Sequence, residues 1–231
     1  METLLRQGLE ALGLPTEGTG RLVRYGELLL EKNKVMNLTA ITEPKDVAAL
    51  HFLDSAALLT LADFKGKRVA DVGTGAGFPG LPLKIVEPSI QLTLLDSLNK
   101  RIDFLKEVCA DLDLEGVECV HGRAEEFVAG HRESFDIVTS RAVANLQMLS
   151  ELCLPLVKEG GWFLAMKAVD SGAELDSAKN AIATLGGRVE QWRDYAIPGT
   201  EVRHRLIFIK KIAPTPKKYP RMFAKIKKNP L

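Results

Sequence analysis

The stretch VADVGTGAGFPG, residues 69 to 80, is where chemistry is most readily placed in this chain. Gly73, Gly75 and Gly77 fall within five positions, and Gly80 follows three residues on. Glycines at that density let a backbone bend tightly and approach a ligand closely. Gly75-Ala76-Gly77-Phe78-Pro79-Gly80 matches G-x-G-x-x-G, a pattern that on its own is a weak signal for a dinucleotide. Asp71 weakens it further, because a carboxylate beside the loop would repel a pyrophosphate and favour a cation. S-adenosylmethionine carries a sulfonium and an ammonium and no phosphate, and so fits better. Asp96 lies 19 residues beyond Gly77, where a carboxylate can accept hydrogen bonds from both hydroxyls of a ribose. A nicotinamide dinucleotide would use such a residue too, so Asp96 points to a ribose and leaves the cofactor open.

The elements that must hold these residues follow from periodicity. Residues 2 to 12 form an amphipathic helix stopped at Gly13, and a second helix runs from about Glu17 to Met36, with Leu22, Leu28 and Leu29 on its apolar side. NLTAI, 37 to 41, breaks it. Thr42 is the expected cap of a helix through EPKDVAALHFLDSAALLTLA, with Pro44 in its first turn. After Lys67 short apolar runs alternate with helical segments. RVADVG, QLTLLD, VECVHG, FDIVTS and GWFLAMKA read as strands separated by helices, which implies an α/β fold with a parallel sheet wrapped on both faces. RVEQWRDYAIP and VRHRLIFIKK, joined by GTE, should form an antiparallel hairpin. The glycine loop then follows the first strand and opens the first helix, outside the carboxyl ends of the strands, where ligands bind in such sheets.

With those motifs in order, the chain resembles the bacterial 16S ribosomal RNA guanine-N7 methyltransferase G family, also called glucose-inhibited division protein B. The resemblance rests on VADVGTGAGFPGLPLKI, the preceding NLTAI and HFLDS, the following LLDSLNKR, and the later GRAEEF and SRAVA, and it spans nearly the whole chain. NLTAI and the GFPG extension are its most specific parts. It implies a class I, Rossmann-like methyltransferase with a seven-stranded, mostly parallel sheet, a C-terminal antiparallel hairpin and an N-terminal helical extension. It implies S-adenosylmethionine as donor and a specific guanine of 16S ribosomal RNA, free or within the small ribosomal subunit, as acceptor. Carried over, the cofactor residues are Gly73, Gly75, Phe78, Asp96, Ser97, Ala124, Glu125 and Arg141, alongside Asp71 and Gly77 of the loop. Ala124 and Glu125 would meet the adenine edge with a backbone N–H and a carboxylate.

SRAVA follows the fourth strand, which in this architecture faces the methyl group and the acceptor. It holds neither the Asn/Asp-Pro-Pro-aromatic run that usually grips an exocyclic amine nor the cysteine nucleophile that methylation of a pyrimidine carbon requires. Arg141 can instead hold a guanine edge or a carboxylate bidentately. No acid or base is assigned, because guanine N7 already has an in-plane lone pair. Arg141, Asn37 and Lys167 are the positioning candidates. Asn37 could equally end its helix, and Lys167 could be a solvated strand end. His51, in HFLDS, reads as structural. The histidines are scattered, and Cys109, Cys119 and Cys153 lack metal-ligand spacing, so no metal is expected.

Composition sets the remaining limits. The 231 residues, 46% hydrophobic and 26% charged, are those of an ordinary globular protein, expected to be cytoplasmic, monomeric and free of membrane spans. The net charge of +1 hides an asymmetry. From Lys210 to Leu231 there are eight Lys or Arg and no acid, while the other 209 residues carry a net of −7. Three segments are expected: residues 1–66 as the helical extension, 67–211 as the cofactor-binding core, and 212–231 as a basic, proline-containing tail. The prolines suggest an extended arm. Lys217, Lys218, Arg221, Lys225, Lys227 and Lys228 are its candidate RNA phosphate contacts, and cofactor binding should not depend on it. A small-molecule methyltransferase would leave this arm unexplained, and Asp71 opposes a nicotinamide-dependent dehydrogenase.

Overall fold

The computed structural model describes residues 1–141 and 144–231; Ala142 and Val143 of SRAVA lie outside the described residues. Seven strands form one sheet: β1 (Arg68–Val72), β2 (Gln91–Asp96), β3 (Val117–His121), β4 (Phe135–Arg141), β5 (Val157–Ala168), β6 (Gly187–Ala196) and β7 (Arg203–Lys211). Their order is β3-β2-β1-β4-β5-β7-β6. β1 to β5 pair in parallel, and β7 runs antiparallel to both β5 and β6. The expected sheet and terminal hairpin are both present. Chain order reverses between β1 and β4, so the crevice for a ligand opens at their carboxyl ends.

The central strands are apolar runs because both faces are covered. Val69, Ile137, Leu164 and Leu206 pack with the N-terminal helices Glu2–Ala11 and Thr19–Met36 and with helix Asn99–Asp111. Their neighbours Ala70, Val138, Phe163 and Ile207 point the other way. They pack with helices Ala124–His131, Leu146–Cys153 and Gly172–Thr184. The N-terminal helices thus share a core with one face of the sheet.

Three expectations need correction. Thr42 does not cap the third helical stretch: Glu43 is its N-cap, without a side-chain cap bond, and Pro44 occupies the first turn. That stretch is not regular either, since Val47–Leu53 is π-helical. The tail is not an extended arm. Tyr219 and Ile226 are buried against the second face, and Phe223–Lys228 forms a helix. The prolines at 214, 216, 220 and 230 all lie outside that helix, so they do not interrupt it.

Candidate functional site

The glycine loop leaves β1 with Gly73 and Gly75 at φ 70° and 62°, conformations that cost a side-chain-bearing residue strain. Gly73 N–H donates to the Leu95 carbonyl at 2.8 Å, which ties the loop to the end of β2. A Cβ on Gly75 would meet nothing within 4 Å, because this part of the loop faces the cleft. Gly77 does different work from that expected. A Cβ there would lie 2.4 Å from the Tyr25 hydroxyl, which donates to the Ala76 carbonyl from below. Gly77 admits a support from the N-terminal helix and does not give room to a ligand.

Asp71 is fully buried beneath this loop. Its Oδ2 accepts from Thr74 Oγ1 at 2.7 Å and from Gly80 N–H at 2.9 Å, clasping the two ends of the turn. Burial pushes its pKa up to about 6, against those two hydrogen bonds. Among the described residues Oδ1 has no hydrogen-bond partner, so its charge is incompletely compensated and favours positive charge in the cleft. The carboxylate therefore shapes the loop from behind and acts on a ligand only through its field.

Asp96, at the end of β2, is nearly buried. Its Oδ2 accepts from Gly75 N–H at 2.9 Å and from Arg101 at 3.2 Å, and its Oδ1 accepts from Leu98 N–H at 2.9 Å. It fixes the loop while presenting a carboxylate at the junction of two cavities. The first, of about 430 Å³, is lined by Thr39, His51, Gly73, Gly75, Phe78 and Arg141 among others. The second, of about 140 Å³, includes Val72, Leu95, Ala124, Glu125, Leu149 and Phe223. Gly73, Asp96 and Ser97 line both. Together they suit an amino acid and ribose in the wider lobe and an adenine in the narrow, more apolar one.

At the lip, Arg141 is held on three sides. Nη1 donates to the Leu50 carbonyl at 3.1 Å and to Asp54 Oδ2 at 3.2 Å, and Nη2 donates to His51 Nδ1 at 3.0 Å. Its guanidinium lies 4.9 Å from the centre of the Phe78 ring, on which His51 also stacks. Fully buried Asp54 further accepts from Tyr195 Oη and His204 Nδ1, both at 2.8 Å. Hydrogen bonding to Asp54 raises the His204 pKa. His51 is pushed down to about 3, first by burial and then by Arg141. Asp54, Tyr195, His204 and Thr39 were missed in the sequence. Asp54 left a signal there, an acid inside the apolar run HFLDSAALL, and Thr39 lies within NLTAI, but neither motif showed which side chain would reach the cleft.

The other candidates fall elsewhere. Asn37 ends helix Thr19–Met36 in a left-handed conformation, φ 49°, and is not among the cleft-lining residues. Lys167 Nζ donates to the Ala144 carbonyl at 2.7 Å and to Glu174 at 2.6 Å, bracing the entry to helix Leu146–Cys153. Arg221 is committed to Glu151, so it is not a free phosphate contact. Lys217, Lys218, Lys225, Lys227 and Lys228 are exposed. Among the described residues there is no group of three metal-ligating side chains, and no helix is long and apolar enough to cross a membrane.

This strand order, with a glycine loop after β1 and a carboxylate ending β2, defines a class I S-adenosylmethionine-dependent methyltransferase. Solved structures share the fold. TYW2 from M. jannaschii in complex with AdoMet matches at TM-score 0.56 and 13% identity, over 69% of this chain and 75% of that one. A SAM-dependent methyltransferase from Aquifex aeolicus matches at TM-score 0.53 and 17% identity, over 75% and 96%. Residues 19–202 match the model of the GidB family, rRNA small subunit methyltransferase G. The chain belongs to that family. A relative named Ribosomal RNA small subunit methyltransferase G, from Alkaliphilus metalliredigens, is 46% identical over 233 residues, 99% of this chain and 98% of its own. One of the same name from Clostridium botulinum is 46% identical over 214 residues, 91% and 90% of the two chains.

Proposed function

We propose that this chain transfers a methyl group from S-adenosylmethionine to N7 of a guanine in 16S ribosomal RNA. The observation that carries the acceptor side is the donor set at the lip. Arg141 is locked in place, and the Thr39 hydroxyl faces the same cleft. Both can donate, which suits the O6 acceptor beside N7 on the Hoogsteen edge of guanine. A pocket for an exocyclic amine would need acceptors there instead.

The bound cofactor supplies an electrophilic methyl group. Asp96 and Ser97 would hold its ribose, Ala124 and Glu125 its adenine edge, and Gly73 and Gly75 its amino-acid end. N7 loses no proton on attack, so these side chains need only hold the base in line, and positioning provides the rate. His51 has no role as a base, being neutral and engaged through both ring nitrogens. The exposed tail lysines offer contacts to the RNA backbone. Residues 1–66, 67–211 and 212–231 are best read as three segments of one folded unit.

The deciding experiment is methylation of 16S ribosomal RNA and of small subunits lacking the modification. The product is then reduced and its strand cleaved at N7-methylguanine. Cleavage at one guanine is expected. Transfer to an exocyclic amine, or only to small molecules, would overturn the reading.

A further inference from the structure

The tail is fastened to the body at successive points. Buried Lys211 donates to the Leu154 carbonyl at 2.8 Å and to Thr215 Oγ1 at 2.6 Å, and pairs with Glu133 at 3.0 Å. Arg221 makes a fork to fully buried Glu151, Nε to Oε1 at 2.8 Å and Nη2 to Oε2 at 2.6 Å, and its backbone N–H donates to Oε1 as well. Two residues on, the chain reaches the narrow lobe of the cleft. Phe223 lines that lobe, its N–H donating to Glu125 Oε1 at 3.2 Å, with the Arg123 guanidinium 6.0 Å from its ring centre. Ile226 is buried one turn further, and Lys225, Lys227 and Lys228 face solvent.

A purine asks for flat apolar surface on its faces and polar groups at its edge. The narrow lobe offers Val72 and Leu95 from the sheet ends, Leu149 and Leu152 from a helix, and Phe223 from the tail. Ala124 opens helix Ala124–His131, so its N–H is among the donors a helix leaves without an internal partner. Glu125 stands beside it and already holds the tail through Phe223. The same carboxylate thus borders the narrow lobe and holds the docked tail.

We infer that helix Phe223–Lys228 is part of the cofactor site, with Phe223 as the wall of the adenine lobe and Glu125 as the residue that ties tail docking to nucleoside binding. This rests on the reading of the narrow lobe as the adenine site. It reverses the expectation that the tail serves RNA alone. Linkage makes the effect reciprocal: a docked tail tightens the cofactor, and the cofactor holds the tail down. The chemistry involved is that of adenosine, so S-adenosylhomocysteine and adenosine should feel Phe223 while methionine should not.

The test is calorimetric titration of the full chain with S-adenosylhomocysteine, together with hydrogen exchange in the unmodified protein. Phe223→Ala should weaken S-adenosylhomocysteine by between about 5- and 150-fold, the usual worth of a base–aromatic contact. Phe223→Tyr should keep most of the affinity. In the unmodified chain, S-adenosylhomocysteine should slow exchange of the Phe223 amide and the helix that follows, a readout that needs no variant. If Phe223→Ala binds within twofold and the tail amides exchange as before, while Asp96→Ala still loses binding, the inference fails and the cofactor reading stands. If the unmodified chain binds neither S-adenosylhomocysteine nor adenosine, both fall.

Discussion

Arg141 donates to His51 Nδ1 at 3.0 Å, and that single contact fixes where the imidazole proton resides. A guanidinium only donates, so Nδ1 must accept and Nε2 must carry the hydrogen. Nε2 lies 2.8 Å from Thr39 Oγ1 and donates to it. The same oxygen accepts from Ile41 N–H at 3.0 Å. Both lone pairs of Thr39 are thereby used, and its own O–H is left to donate into the cleft.

Single-turnover rates should accordingly be nearly flat between about pH 6.5 and 9. His51→Gln, which keeps a donor and an acceptor, should lower the rate without changing that shape. An acidic limb present in the unmodified enzyme and absent in the variant would sink the baseless mechanism.

Stability gives an independent check on His51. Its pKa falls from 6.5 unfolded to about 3 folded, so the unfolded chain takes up the proton first. The native state should lose stability as pH drops from about 6.5 toward 3. Asp71, raised to about 6, works in the opposite direction and offsets part of the loss between pH 6 and 4. Lowering the pH from 7 to 4 should therefore reduce the urea midpoint of the unmodified chain more than that of His51→Gln, in which the Asp71 contribution is unopposed and the midpoint should hold or rise.

Arg141→Lys keeps the charge but cannot reach His51, Asp54 and the Leu50 carbonyl together. Single-turnover rate should fall by about two orders of magnitude, as expected for a misplaced reacting group. A rate within threefold would show that the fork is not needed.

Thr39→Val keeps the shape and removes the oxygen, leaving the His51 Nε2–H and the Ile41 N–H without their acceptor. A loss of about 1–3 kcal/mol in stability is expected, with a slower rate, and Thr39→Ser should restore both. Urea titration and single-turnover kinetics measure the two effects.

Arg221 and the tail lysines should separate cleanly. Arg221→Ala strands buried Glu151 and should cost about 3–5 kcal/mol. Replacing Lys217, Lys218, Lys225, Lys227 and Lys228 with alanine should leave the urea midpoint nearly unchanged. It should flatten the salt dependence of RNA binding by up to about 0.7–0.9 in log–log slope per lost contact.

The sheet could be read from the sequence because buried parallel strands leave unbroken apolar runs, and the loop because its glycines crowd together. Asp71 showed that a carboxylate was present but not which way it faced. Its direction depends on Thr74 and Gly80, which clasp it from the far side of the turn. Tyr25 bonded to Ala76, and the meeting of Asp54 with Tyr195 and His204, join residues 51 to 150 positions apart, which no local period reports. The tail did carry a signal that its lysines and prolines obscured. Phe223 and Ile226, three apart, share one face of helix Phe223–Lys228, and Tyr219 adds a third apolar anchor from the turn that precedes it.

Tyr25 has a consequence for how such enzymes can be recombined. The glycine loop rests on a hydroxyl from the N-terminal helix, so the helical extension cannot be exchanged as a free-standing recognition module. A chimera joining residues 67–211 to another family member's extension would inherit a foreign floor under its loop. Any change in acceptor preference would then arrive mixed with a change in cofactor affinity. Substitution histories should show the same entanglement, with changes at position 25 accompanied by changes at positions 77, 81 and 105, whose side chains would crowd the same point.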